Sequence, residues 1–109
     1  MRSENPVDDL ETLLAPRRRR SMLYCLLLYA NPLELADVAH QVAEWEFGAD
    51  AEEFLQKRLR VYASLYHDHL PALEAADLVE YSQCEDVVEL GPRTRAAKSR
   101  IRELVTRER

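Results

Sequence analysis

Glycine, cysteine and long apolar runs are all scarce in this chain, and each scarcity removes a class of function. The two glycines, Gly48 and Gly91, are too few and too far apart to form a phosphate-cradling loop. The two cysteines, Cys25 and Cys84, have neither the spacing of a metal site nor the density of a secreted disulfide scaffold, so both are expected as reduced thiols. No apolar run approaches the roughly 18 residues a membrane span needs, and the start lacks the apolar stretch of a signal peptide. A cytoplasmic location with no membrane partner is the expectation. No nucleophile has a recognisable base and orienting partner, so the reading is of a non-enzyme with no catalytic residues, no cofactor and no metal. His67 and His69 are two apart, about 200° around a helix, and cannot chelate one ion there.

What is present is ordinary for a globular domain. At 109 residues, 47% hydrophobic and 32% charged, the chain is long enough for one real core and too short for a second substantial unit. The net charge of −5 opposes nucleic-acid binding on average, but the average conceals blocks. Formal charge is −3 over 1–16, +4 over 17–20, −7 over 21–54, +2 over 55–70, −6 over 71–92 and +5 over 93–109. Arginine outnumbers lysine thirteen to two, which suits bidentate phosphate contacts and equally suits a GC-rich genome.

Asn5 and Pro6 form a cap and first-turn pair for a short helix ending before Pro16. A second helix is expected through RRRRSMLYCLLLYA, apolar nearly all round and therefore central, until Asn31-Pro32 breaks it. Leu35, Val38, Ala39 and Val42 follow the amphipathic template of a third helix stopping near Gly48. A longer one starts near Ala51 to Glu53 and should kink at Pro71. If Tyr66 marks the centre of its inward face, Leu59, Tyr62, Ala63, Leu70 and Leu73 share that stripe. Lys57, Arg60, Val61, Ser64 and Asp68 then face out, flanked by Arg58 and His67. Leu78 to Tyr81 and Val87 to Leu90 read as a hairpin around SQCED, and Gly91-Pro92 ends the unit. A last helix covers about Arg93 to Arg107.

This order predicts a mainly α fold with a small β-hairpin: a winged helix-turn-helix over 17–91, a short N-terminal helix in 1–16 and a basic C-terminal helix in 92–109. In that fold the helix before the hairpin enters the major groove, so double-stranded DNA is the expected partner. Candidate contacts are Lys57, Arg58, Arg60, Ser64 and His67, with Arg17 and Arg18 from the basic block. The plain alternative is a solvated helix face. Cations at a helix start oppose its dipole, so Arg17 to Arg20 require anions, either DNA phosphates or carboxylates such as Asp8, Glu11, Glu44 and Glu46. Ala97, Ile101, Leu104 and Val105 form a narrow seam that either pairs with a second copy in a homodimer or packs back on its own domain. Glu85 and Asp86 read as a solvated turn, with Cys84 beside them an inert exposed thiol. A protein-interaction module without DNA binding is the alternative function.

The runs RRRSMLYCLL, LELADVAHQVAEWE, RLRVYASLYHDHLPALEAADLVEY and VVEL resemble a haloarchaeal winged-helix family of unknown function, over about Leu10 to Leu90. More distantly, HDHLPALEAADLVEY is similar to the end of the reading helix in small repressors of the arsenic-sensor type. The resemblance implies a winged-helix fold and a transcriptional role, and no ligand or catalytic residues. Where a glycine is usual before the wing, this chain has Asp77.

Overall fold

The computed structural model describes residues 6–50 and 52–107, which leaves the Asn5 cap and Ala51 outside it. Its helices are α1 (Pro6–Leu13), α2 (Arg17–Leu28), α3 (Leu35–Phe47), α4 (Phe54–Ser64), α5 (Leu70–Ala75), α6 (Pro92–Ala96) and α7 (Lys98–Thr106). A single π turn, Leu65–His69, joins α4 to α5. The strands β1 (Leu33–Glu34), β2 (Val79–Ser82) and β3 (Val87–Leu90) form an antiparallel sheet in the order β1-β3-β2. Three helices with a strand after the first, closed by a hairpin, make a winged helix-turn-helix with α1 added before it and α6 and α7 after it. None of the described helices is long and apolar enough to cross a membrane.

The hairpin was legible in the sequence, whereas the strand β1 was not, because two residues carry no periodicity. It pairs Leu33 with Val88 and Glu34 with Val87. Asn31 extends that link: its amide donates to the carbonyls of Leu26 and Tyr29, each at 2.8 Å, and its side-chain oxygen accepts the Leu90 N–H at 2.8 Å. The residue that breaks α2 therefore also caps it and moors β3.

Helix α2 is the central core element, with Met22, Leu23, Cys25 and Leu26 buried. Around it pack Leu10 of α1 and Leu14 just after it, Leu35, Val38 and Val42 from α3, and Ile101, Leu104 and Val105 from α7. The apolar seam assigned to a dimer is thus closed within its own chain: Ile101 is 0% exposed and Val105 1%, while Ala97 is partly buried at its start. Packing against α2 wins because it buries the seam without a second molecule having to be immobilised.

The helical wheel drawn from the sequence is turned upstream of the kink. Val61 and Leu65 are both 0% exposed, whereas Leu59, expected inside, is 58% exposed, and Ala63 is exposed as well. Downstream, Leu70 and Leu73 are buried as expected. The cause is Pro71, which lacks an N–H and whose ring crowds the carbonyl four residues back. The helix widens just before it, and the Leu70 N–H bonds the Leu65 carbonyl, five residues earlier. That extra residue puts Leu65 above Leu70 and shifts every upstream side chain around the axis.

Helix α5 ends in a Schellman motif. The Leu78 N–H reaches the Leu73 carbonyl at 3.0 Å, the Asp77 N–H reaches Glu74 at 3.0 Å, and buried Leu73 and Leu78 supply its apolar pair. Asp77 occupies the left-handed position at φ 63°. Gly91 is fixed by a close approach, since a Cβ there would lie 2.5 Å from the Asp77 carbonyl oxygen.

This geometry predicts two effects on stability. Val61→Asp places an unpaired carboxylate in the core and costs about 3 kcal/mol or more, while Leu59→Lys changes stability by no more than about 0.5 kcal/mol. Denaturant titration checks this, and the reverse order would restore the uninterrupted wheel. Asp77→Gly removes a left-handed strain of about 1–2 kcal/mol and adds unfolded-chain entropy of about 0.5–1 kcal/mol, a net gain of about 0.5–1 kcal/mol. An unchanged or lower denaturation midpoint would show that Asp77 is at ease in its turn.

Candidate nucleic-acid interface

The outward face of α4 begins with what its inward face fixes. With Val61 and Leu65 in the core, the residues opposite are Gln56, Leu59, Arg60 and Ala63, all exposed, with His67 exposed on the π turn. Of the contacts expected on this stretch, Arg60 and His67 are the exposed pair, and the His67 ring stands edge-on to Tyr66 at 5.0 Å. Lys57 and Ser64 are half-buried at one edge, and the Lys57 ammonium lies 5.0 Å from the centre of the Phe47 ring. Arg58 lies at the other edge, its guanidinium 3.4 Å from His40 Nδ1. Five residues expected on one surface are therefore spread over three sides of the helix. Gln56, Leu59 and Ala63 were missed because their exposure depends on the π turn, and only Pro71 signals it.

The arginine block is mostly spent on the fold. Arg18 makes a two-pronged ion pair with Glu46, 2.7 Å for each bond, tying the start of α2 to the end of α3. That hydrogen bond, first among the causes, raises the Arg18 pKa further. Arg19 Nε donates to His69 Nδ1 at 3.1 Å, and its other nitrogens reach the carbonyls of Leu13 at 3.0 Å and Asp68 at 3.3 Å. Arg20 donates to the carbonyls of Leu14 at 2.8 Å and Ala15 at 2.6 Å. Of the two expected phosphate contacts in this block, Arg18 is committed to Glu46 and Arg17 is exposed. The carboxylate alternative holds for Arg18, and backbone carbonyls, neutral acceptors that charge counting overlooks, hold Arg19 and Arg20.

Asp86 is not a solvated turn residue. Its carboxylate accepts from the hydroxyls of Tyr62 on α4 and Tyr81 on β2, each at 2.5 Å, and its backbone carbonyl accepts the Leu35 N–H at 2.9 Å. One wing residue, itself in the left-handed region at φ 57°, thereby ties together α4, the hairpin and the start of α3. The bond to Asp86, then burial, pushes the Tyr62 phenol up to about 12. Burial, then the same carboxylate, raises Tyr81 as well. The missed signal was the pair of tyrosines themselves, since a half-buried phenol usually finds an acceptor.

The profile of the family described as Domain of unknown function (DUF7344) matches residues 11–89. The chain belongs to that family. The DUF7344 span runs from the body of α1 to the third residue of β3, so it contains the helix-turn-helix and all of the wing but its last residue, while α6 and α7 lie beyond it. No curated protein and no solved structure matches the chain.

Burial, followed by the charge of Arg19, lowers the pKa of His69, and Arg18 acts in the same direction while Asp68 and Glu46 oppose it. His69 accepts the Arg19 bond only as the neutral ring. Its folded-state pKa lies below the ordinary 6.5, so its contribution is complete above that pH and is lost as pH falls through the folded value. Denaturation midpoints are therefore expected to drop from neutral pH toward pH 5, with a smaller drop in His69→Gln, whose amide accepts without titrating. An identical pH profile in that variant would remove His69 as the source.

Proposed function

We propose that this domain is a DNA-binding transcriptional regulator in which α4 enters the major groove and the β2–β3 hairpin lies as a wing along the backbone. The observation that supports this is the uncovered face of α4, where Gln56, Leu59, Arg60, Ala63 and His67 are all exposed on the helix that precedes the wing. Gln56 has the bidentate amide that reads adenine, Leu59 and Ala63 suit thymine methyl groups, and Arg60 suits guanine or a phosphate. Arg17 and Lys57 add backbone contacts, and Ser64 supports base reading at the edge. A homodimer would set two copies of α4 on a palindromic site through a surface other than the buried Ile101 and Val105 seam. The acidic blocks suit a haloarchaeal cytoplasm, where long-range attraction is screened and short contacts carry recognition. Catalysis has no part in this reading. A second reading, a protein-interaction module, is favoured by one observation: Leu55 and Leu59 expose 58% each on this same helix.

Titration of duplex DNA at several salt concentrations tests the first reading. Arg60→Glu is expected to weaken binding about tenfold and to reduce the salt slope by about one unit, because one phosphate is no longer neutralised. Unchanged affinity in that variant would remove α4 as the reading helix.

A further inference from the structure

Arg60 is the cation at the centre of the uncovered face of α4, too little charge to hold a duplex by attraction alone. What surrounds it therefore decides what the face selects. Gln56, Leu59, Arg60 and Ala63 stand at the spacings i, i+3, i+4 and i+7, which sets them on one stripe about 100° wide. All four are exposed, Leu59 by 58%. The side chains of Gln56 and Arg60 have no polar partner among the described residues.

Acids bound this stripe at both ends. Helix α4 itself contains no Asp or Glu, whereas Glu53 precedes it and Asp68 follows on the π turn, both exposed. Each repels phosphate where the helix would leave a groove, which confines close approach to the two turns between them. From Gln56 to Ala63 the helix rises about 10 Å, the length of about three base pairs. Leu59 and Ala63 lie one turn apart on the same side, an apolar strip about 6 Å long that matches two neighbouring pairs. In the major groove the apolar feature of a base pair is the C5 methyl of thymine.

Resting on the DNA-binding reading above, we propose that the domain selects A·T-rich duplex by packing Leu59 and Ala63 on thymine methyl groups. Gln56 then takes an adjacent adenine, and the methyl contacts give more of the selectivity than any charge does. The mixed stripe favours a base-pair edge over an apolar protein ridge as the occupant. A ridge covering Leu59 would bury the Gln56 amide and the Arg60 guanidinium beside it without partners, whereas base edges and phosphates offer both an acceptor.

The test titrates the full chain with three duplexes of about 24 base pairs, long enough for two half-sites one turn apart. One has only A·T pairs in mixed order, the second is the same with deoxyuridine for every thymidine, and the third has only G·C pairs. Deoxyuridine keeps every hydrogen-bonding group and phosphate and removes only the methyl. At about fourfold per buried methyl, losing two contacts is expected to weaken binding about 15-fold. The ratio of thymidine to deoxyuridine affinity should hold across salt concentrations, because no phosphate contact changes. Leu59→Ser, an exposed substitution whose folding circular dichroism establishes, should cut that ratio to about fourfold or less. Equal binding of the thymidine and deoxyuridine duplexes, G·C binding as tight as A·T, or an unchanged ratio in Leu59→Ser overturns the proposal and leaves DNA binding standing. Failure to bind any of the three at low salt overturns the DNA reading and this proposal with it. In that case, a mass that rises with concentration and falls in Leu59→Ser would give the face to a second copy of the chain.

Discussion

Pro71 removes one hydrogen bond from the longest helical stretch of the molecule, and the way the chain absorbs that loss decides which chemistry its surface displays. Upstream of the π turn the inward residues are Val61 and Leu65; downstream they are Leu70 and Leu73. Continued as a regular α-helix, a stripe through Leu70 and Leu73 would pass through Tyr66, Tyr62 and Leu59 and leave Val61 in solvent. The π turn spaces Leu65 and Leu70 by five and so lets both segments face one core. Leu59 and Ala63 are outside as a direct result, and the exposed face becomes apolar at one edge and cationic at the other.

The same turn leaves α4 with a shallow buried face, along which Phe54 and Tyr62 are half-buried against the core. Val61 is its one fully buried side chain, worth about 1.5–3 kcal/mol. Its polar ties are of similar size, because a hydrogen bond to a charged group contributes about 1.5–3 kcal/mol net and a neutral one about 1 kcal/mol. Tyr62 binds Asp86 of the wing, His40 of α3 packs edge-on against Phe54 at 5.3 Å, and Arg19 of α2 holds the carbonyl of Asp68 and the ring of His69 just beyond α4. Directional bonds from three neighbours therefore add to this shallow packing in fixing where α4 sits. That helix is also the one whose free face carries the functional readings.

Most of the architecture could be read in the chain because it rests on local patterns. The amphipathic stripe of α3, the apolar block of α2, the alternation in the hairpin and the Asn31-Pro32 and Gly48 stops all have near neighbours that determine them. What escaped depends on partners distant in sequence. The β1 strand exists because β3 is there to pair with it, Asp86 matters because Tyr62 lies 24 residues earlier, and the α4 phase is set by a core that no single helix reveals. The candidate surface was legible in place and not in content. A helix does precede the hairpin as expected, with Arg60 exposed on it and His67 on the π turn that follows, but Leu59 and Ala63 were assigned to the wrong side.

Charge blocks along the chain do not become charge patches on the surface. Arg18, Arg19 and Arg20 are bound to a carboxylate, a histidine and helix-end carbonyls, while Arg100 and Arg107 both approach Glu11 at 3.8 and 3.7 Å. Arg95 is hydrogen-bonded to the Leu90 carbonyl. The arginines largely serve to neutralise and cap a fold rich in acids, which explains how a chain of net charge −5 can contain such strongly basic runs. A duplex meeting α4 would find roughly two or three cations, so counterion release could supply only a small part of its affinity. The remainder has to come from short-range fit at Gln56, Leu59 and Ala63, and such contacts discriminate strongly while attracting weakly. A helix that relies on fit more than on field would be equally suited to an apolar protein ridge, because Leu55 and Leu59 both stand exposed on it.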